Sequence, residues 1–204
     1  KRAKYLAYFT VLYNLVEGIA AITFGLKEES ISLAGFGGDS LIEVGSAMLV
    51  LWKLRADTDQ TQSVRLQKER HATFGIGLLF LTLGIIVVGA SVIQLLEKSP
   101  PDTTVPGIVI SLLSLSFMFW LWKAKRSVAT ALDSKTVMSD ARCSLACIKL
   151  SLILFVGSLL CLLFPALWWV DAFAAIVLAF FVTKEGLQMI QAAKRPEFTG
   201  GCCD

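Results

Sequence analysis

The chain has 204 residues, 55% apolar and 17% charged, with a mean hydropathy of +0.69, whereas a soluble domain carries about a quarter charged residues. At roughly 20 apolar residues per membrane-crossing helix, it holds about six such helices and short loops, which excludes a separate soluble catalytic domain within it. The net charge is only +3, and the basic residues fall in loops rather than along a face interleaved with aromatics, which argues against nucleic acid as a partner.

In chain order, apolar spans at 5–26, 31–52, 72–96, 105–122, 139–163 and 166–183 predict six membrane helices. The opening Lys1-Arg2-Ala3-Lys4 has the basic flank of a signal peptide, but no small-residue cleavage site with a polar mature region follows, so the first run reads as a membrane helix. Polar stretches at 27–30, 53–71, 97–104 and 123–135, a turn around Pro165 and a short tail from Lys184 connect or follow the spans. Of the 19 Lys and Arg, 15 fall in the loops and termini of one side, against Lys27 and Lys98 on the other. Cytoplasmic loops carry the Lys/Arg excess, so both termini are expected in the cytoplasm. Trp52, Trp120, Trp122, Trp168 and Trp169 fall at helix ends, where indoles anchor at the membrane interface. The expected fold is an all-α polytopic membrane protein with a six-helix domain over 1–194 and a short cytoplasmic tail over 195–204.

Ionisable side chains inside membrane spans cost about 2.5–3.5 kcal/mol each on insertion scales, and here they are Glu17, Asp39, Glu43, Asp140, Arg142, Lys149 and Asp171. Spans 3 and 4 have none, which marks them as scaffold or lipid-facing. Asp39 and Glu43 are four residues apart and so project from one face of helix 2, as Cys143 and Cys147 do from helix 5. At about 1.5 Å per residue the two pairs reach similar mid-membrane depth. Two carboxylates and two thiolates would then supply four ligands to a tetrahedral cation, the thiolates favouring Zn²⁺, Cd²⁺ or another soft ion. A hydrogen-bonded or proton-relay acid pair, and cysteines acting as small buried hydrophobes, remain the alternative readings.

The two segments also share a pattern. Asp39-Ser-Leu-Ile-Glu43-Val and Cys143-Ser-Leu-Ala-Cys147-Ile both place ligand types at i and i+4 around a Ser-Leu pair. The helices carrying them run in opposite directions, as expected of two inverted three-helix repeats with a site near the midplane.

In these features the chain resembles the cation diffusion facilitator, or cation efflux, family of six-helix divalent-metal exporters. That family carries acid or histidine pairs at i and i+4 on helices 2 and 5, each in a small-residue, Ser-Leu-containing stretch. The matching segments are Ala34-Gly-Phe-Gly-Gly-Asp39-Ser-Leu-Ile-Glu43 and Ser139-Asp140-Ala-Arg-Cys143-Ser-Leu-Ala-Cys147, joined by Asn14 with Gly18 and by Val170-Asp171-Ala-Phe-Ala-Ala. The resemblance implies transport-site ligands at Asp39, Glu43, Cys143 and Cys147. Thiols on helix 5, in place of imidazole and carboxylate, tilt the expected cargo towards thiophilic ions. With about 20 residues after helix 6, the chain reads as a short form without the family's cytoplasmic metallochaperone-like domain, and it lacks a histidine-rich loop, His71 being the one histidine.

Accessory roles are expected at Asp140, near the cytoplasmic mouth, and at Glu17, Lys149, Cys202 and Cys203. Two readings stand open for Lys149: an offset, with Arg142, to the charge of the ligand set, or a salt bridge to Glu17 at similar depth. Cys202 and Cys203 either deliver a soft metal or serve acylation, redox chemistry or nothing. Asp171 and His71 read as structural and interfacial residues.

The expected protein is therefore no enzyme but a secondary transporter: a Zn²⁺/Cd²⁺-type exporter working by proton antiport and alternating access, helices 1, 2, 4 and 5 rocking against 3 and 6. Its expected partners are the bilayer, the metal ion, protons and a second copy of itself, with no cofactor and with Zn²⁺, Cd²⁺, Hg²⁺ or Co²⁺ as cargo. A bacterial source would place it in the plasma or inner membrane. The competing readings are a proton-coupled organic-cation exporter and a non-transporting membrane metal sensor or scaffold.

Overall fold

The computed structural model describes residues 2–55, 62–99, 101–102, 104–132, 135–164 and 166–195, with the side chains of 2–4, 50, 53–55, 62–65, 132, 135–137, 139–140 and 142–143 left outside the description. The described residues form six helices: α1 (Arg2–Lys27), α2 (Ile31–Arg55), α3 (Gln62–Glu97), α4 (Val105–Leu132), α5 (Lys135–Leu163) and α6 (Val170–Lys194). No strand occurs among the described residues. Five of the helices are long and apolar enough to cross a membrane. The exception, α2, is 25 residues long but rich in Gly and Ser and carries Asp39 and Glu43. It packs against α1, α3, α5 and α6, so its polar atoms meet protein rather than lipid.

Several helix boundaries differ from those expected. The α3 helix starts at Gln62, ten residues before the apolar span, and α4 runs to Leu132, ten residues beyond it. Neither extension contains Gly or Pro, so nothing stops the helix where the apolar run ends. By contrast, α6 begins late, at Val170, after a turn in which the Val170 amide donates to the Leu167 carbonyl, and it continues to Lys194. At the far ends of α1 and α3 the chain turns through left-handed residues, Glu29 (φ 55°) and Lys98 (φ 54°). In each case the following amide reaches back five residues, from Ser30 to the Gly25 carbonyl and from Ser99 to the Gln94 carbonyl, which satisfies carbonyls that a helix end leaves open.

The helices associate chiefly as α1 with α2, α3 with α6, and α4 with α5. Close backbone approach drives packing where lipid offers no hydrophobic advantage. A Cβ on Gly37 would lie 2.7 Å from the Ile22 amide nitrogen, and one on Gly77 would lie 2.8 Å from the Gly186 carbonyl, so both interfaces require glycine. Gly45, Gly75 and Gly89 instead face open space and play no such part. A core of Leu33, Phe36, Phe80, Leu154, Leu178 and Val182 joins α2, α3, α5 and α6.

At the end opposite the basic loops, the buried Asp171 carboxylate clasps three helices. It accepts from Ser30 Oγ (2.8 Å), the Ile31 amide (2.9 Å), Ser32 Oγ and Gln94 Nε2 (3.4 Å). Asp171 is thus structural, as its position in the sequence suggested. At the basic end, Arg70 Nη2 donates to the Arg195 carbonyl and Lys194 lies over the Phe74 ring.

Candidate metal centre

Asp39 and Glu43 project from one face of α2, and Cys147 meets them from α5. The ligand atoms of the three side chains all lie within 4.8 Å of one another. Glu43 and Cys147 each stand twelve residues into their helices, or about 18 Å along the axis, which sets the cluster at mid-height in the bundle. Asp39 is 1% and Cys147 0% exposed. The Cys147 thiol donates to Asp39 Oδ2 at 4.0 Å.

A fourth polar group arrives from α1. Asn14 Nδ2 donates to Glu43 Oε2 at 2.8 Å, while Asn14 Oδ1 and Asp39 Oδ1 are both buried without a hydrogen-bond partner. Buried acceptors without donors are uncommon and costly. The two here, one of them an oxygen of the Asp39 carboxylate itself, join the Glu43 carboxylate and the Cys147 thiol in a donor set that suits a cation. On the α4 side the cluster's surroundings are apolar: Met118 and Leu121 pack with Cys147, covered by Tyr13 and Phe117, whose rings stack at 3.8 Å.

Ionisable groups flank the cluster on both sides. Glu17, 6% exposed, accepts from Tyr13 OH (2.8 Å) and Ser40 Oγ (3.1 Å). Lys125 of α4, 1% exposed, donates from Nζ to Ser144 Oγ of α5 at 3.0 Å. Glu185 of α6 stands within electrostatic reach of Asp39 and Glu43.

Of the expected ligands, Asp39, Glu43 and Cys147 come together, while the side chain of Cys143 lies outside the described residues, as do those of Asp140 and Arg142 and the whole of Cys202 and Cys203. Of the two readings open for Lys149, the salt bridge to Glu17 does not form. Glu17 is held by Tyr13 and Ser40, and Lys149, two residues from Cys147, is rotated onto the exposed face of α5, which also removes it as an offset to the cluster's charge. His71 is exposed, its ring Nδ1 at 2.9 Å from the Gln67 carbonyl.

Sequence reasoning misses Lys125 by assigning it to a loop. The signal is present: Ser114, Met118, Leu121, Lys125 and Ala129 recur at helical spacing, and all are buried, so Lys125 continues the inward face of α4. Asn14 is visible only as part of a family-like pattern, because a lone asparagine in an apolar helix does not reveal its partner.

Residues 6–195 match the cation efflux transmembrane domain. The chain belongs to the cation efflux family. Among curated proteins, this cation efflux protein is similar to Transmembrane protein 163 of Xenopus laevis, 22% identical over 190 residues, which cover 93% of this chain. The chain spans 66% of that relative's length. With its apolar helices, the family places the protein in a membrane as an integral, multi-pass chain.

Proposed function

We propose that this protein exports a soft divalent cation, Zn²⁺ or Cd²⁺ in type, held at mid-membrane between α2 and α5. The observation that carries this reading is the convergence of Asp39, Glu43 and Cys147 within 4.8 Å, with the unpartnered Asn14 Oδ1 beside them. Carboxylate and amide oxygens alone would suit Mg²⁺ or Ca²⁺; a thiolate in the set shifts preference to thiophilic ions. Cys143, one turn before Cys147 on α5, supplies a second thiolate in the full ligand set.

Proton antiport supplies the driving force in this reading. Moving a dication against the membrane potential costs about 2.3 kcal/mol per charge per 100 mV, and no phosphate-binding Gly-x-x-x-x-Gly-Lys-Ser/Thr stretch is present for nucleotide. Metal ligands must be deprotonated to bind, so binding releases protons and an acidic exit side expels the ion. Alternating access is the rocking of the α3 and α6 pair, which pack closely on each other, against the remaining four helices.

The test is flux of Zn²⁺, Cd²⁺, Hg²⁺, Co²⁺ and Mn²⁺ in proteoliposomes with an imposed pH gradient, comparing the parent with Asp39→Asn and Cys147→Ser. Gradient-driven metal flux lost in both variants supports the reading; a folded parent that moves none of these ions contradicts it. A cavity of about 530 Å³ between α1 and α4, lined by Tyr13, Glu17, Phe117 and Trp120, favours a second reading, export of an organic cation. That reading requires Glu17→Gln to abolish transport and Cys147→Ser to leave it intact.

A further inference from the structure

Among the described side chains, Lys125 is the one buried Lys or Arg. The other described Lys and Arg side chains are exposed or half-buried, because a buried ammonium in a membrane bundle is expensive, and such a group is retained where an opposite charge or a cavity meets it. Lys125 sits on the inward stripe of α4, directly beyond Met118 and Leu121, the two residues that pack on Cys147. Its Nζ is anchored on Ser144 Oγ at 3.0 Å, one residue after Cys143 and one helical turn before Cys147. The ammonium therefore stands one turn to the basic-end side of the Asp39, Glu43 and Cys147 cluster, with a flexible four-carbon stem. Its charge is close enough to act on Glu43.

We propose that Lys125 is the built-in counter-cation of the metal site, its charge compensating the Asp39 and Glu43 carboxylates from its seat on Ser144 when no metal is bound and repelling a dication that enters. This rests on the proposed metal-exporter reading and adds a determinant of affinity to it. The sequence pattern supports it independently. Ser40 and Ser144 hold equivalent places in the two repeated segments, and each bonds an ionisable residue of the preceding helix: Ser40 bonds Glu17 of α1, and Ser144 bonds Lys125 of α4. The α4 member of the pair is the cation. A fixed positive charge beside the ligands opposes every incoming cation and so lowers affinity enough for release, while stabilising two carboxylates that would otherwise stand uncompensated in the bundle.

Coupling between two ligands of one site is reciprocal, so the inference is read from both directions on the full-length protein in detergent. Isothermal titration with Zn²⁺ gives the first reading: Lys125→Met binds about tenfold more tightly than the parent, while Lys125→Arg, which keeps the charge, stays within about twofold of it. The second needs no variant. Lys125 of the parent, labelled with an amine-reactive reagent and quantified by mass spectrometry, becomes several-fold more reactive when Zn²⁺ saturates the protein. Equal or weaker Zn²⁺ binding by folded Lys125→Met overturns the inference and leaves the metal site standing, as does labelling that Zn²⁺ leaves unchanged. A folded parent that binds no Zn²⁺ overturns both. Should Lys125→Met not fold, the labelling of the parent decides alone.

Discussion

Asn14 on α1 and Glu43 on α2 are joined by a hydrogen bond of 2.8 Å, from the Asn14 amide nitrogen to Glu43 Oε2. It leaves the Asn14 carbonyl oxygen buried and unpartnered beside the Asp39, Glu43 and Cys147 cluster. One side chain thereby orients a candidate ligand and exposes an oxygen of its own to whatever the cluster holds. Groups that orient a metal ligand change affinity about 10–100-fold when removed. Asn14→Ala is accordingly expected to weaken Zn²⁺ binding by about that factor, and Asn14→Asp, which keeps an oxygen at the same place, to weaken it less. Titration of the purified variants with Zn²⁺ checks the order.

The softness of the donor set rests on Cys147. Cys147→Ser replaces a thiolate with a hydroxyl of similar size, and selectivity between Cd²⁺ and Mn²⁺ is expected to fall by an order of magnitude or more, because thiolate is the ligand that prefers Cd²⁺. Competition between the two ions for parent and variant measures this. An unchanged ratio would remove Cys147 from the ligand set.

Acid weakens binding in this account. Two carboxylates and at least one thiol must shed protons to hold the ion, so Zn²⁺ affinity rises with pH and each binding event releases protons. Titrations in buffers of different ionisation enthalpy report that release. Binding that is independent of pH would separate the metal site from the proposed coupling to protons.

Asp171 anchors the opposite end of the bundle. Asp171→Ala removes the shared acceptor of two serine hydroxyls, the Ile31 amide and Gln94 Nε2; the serines keep each other and Gln94 keeps the Glu29 carbonyl, while a buried polar group left unsatisfied, as the Ile31 N–H would be, costs about 1–3 kcal/mol. The variant is expected to lose several degrees of thermal stability while its folded fraction binds Zn²⁺ as the parent does. Melting in detergent, followed by titration below the transition, tests both halves.

Gly37 lets α2 approach Ile22 of α1. A methyl there forces the helices apart at a cost of about 1–3 kcal/mol, and it shifts Asn14 relative to Glu43. Gly37→Ala should therefore lower stability and Zn²⁺ affinity together, whereas Gly45→Ala, which meets open space, should change neither. The pair makes an internally controlled melting and binding experiment.

Much of this architecture is legible in the amino-acid sequence. Long apolar runs fix the number of helices, since of the two structures that satisfy the backbone in lipid, helices and closed barrels, only helices need about 20 continuous apolar residues. The i, i+4 spacing of Asp39 with Glu43 settles that they share a face, and the matching Ser-Leu segment points to α5 as the partner. The ends of α3, α4 and α6 are less legible, because hydropathy marks where lipid stops rather than where a helix stops. Lys125 escapes notice for that reason. The pairing of Glu17 with Lys149, one of two readings open from the sequence, fails because equal depth along two helices says nothing about rotation: Lys149 lies on the exposed face of α5, while Tyr13 and Ser40 already occupy Glu17.

Zinc X-ray absorption of the Zn²⁺-loaded protein, in a Cys202→Ser, Cys203→Ser background, tests the central claim most directly. The predicted spectrum has sulfur scattering at about 2.3 Å together with a shell of light atoms at about 2.0–2.2 Å, the sulfur contribution falling in Cys147→Ser and the light-atom shell changing in Asp39→Asn. A shell of oxygen and nitrogen alone, or a spectrum that neither substitution alters, would contradict a metal held between α2 and α5.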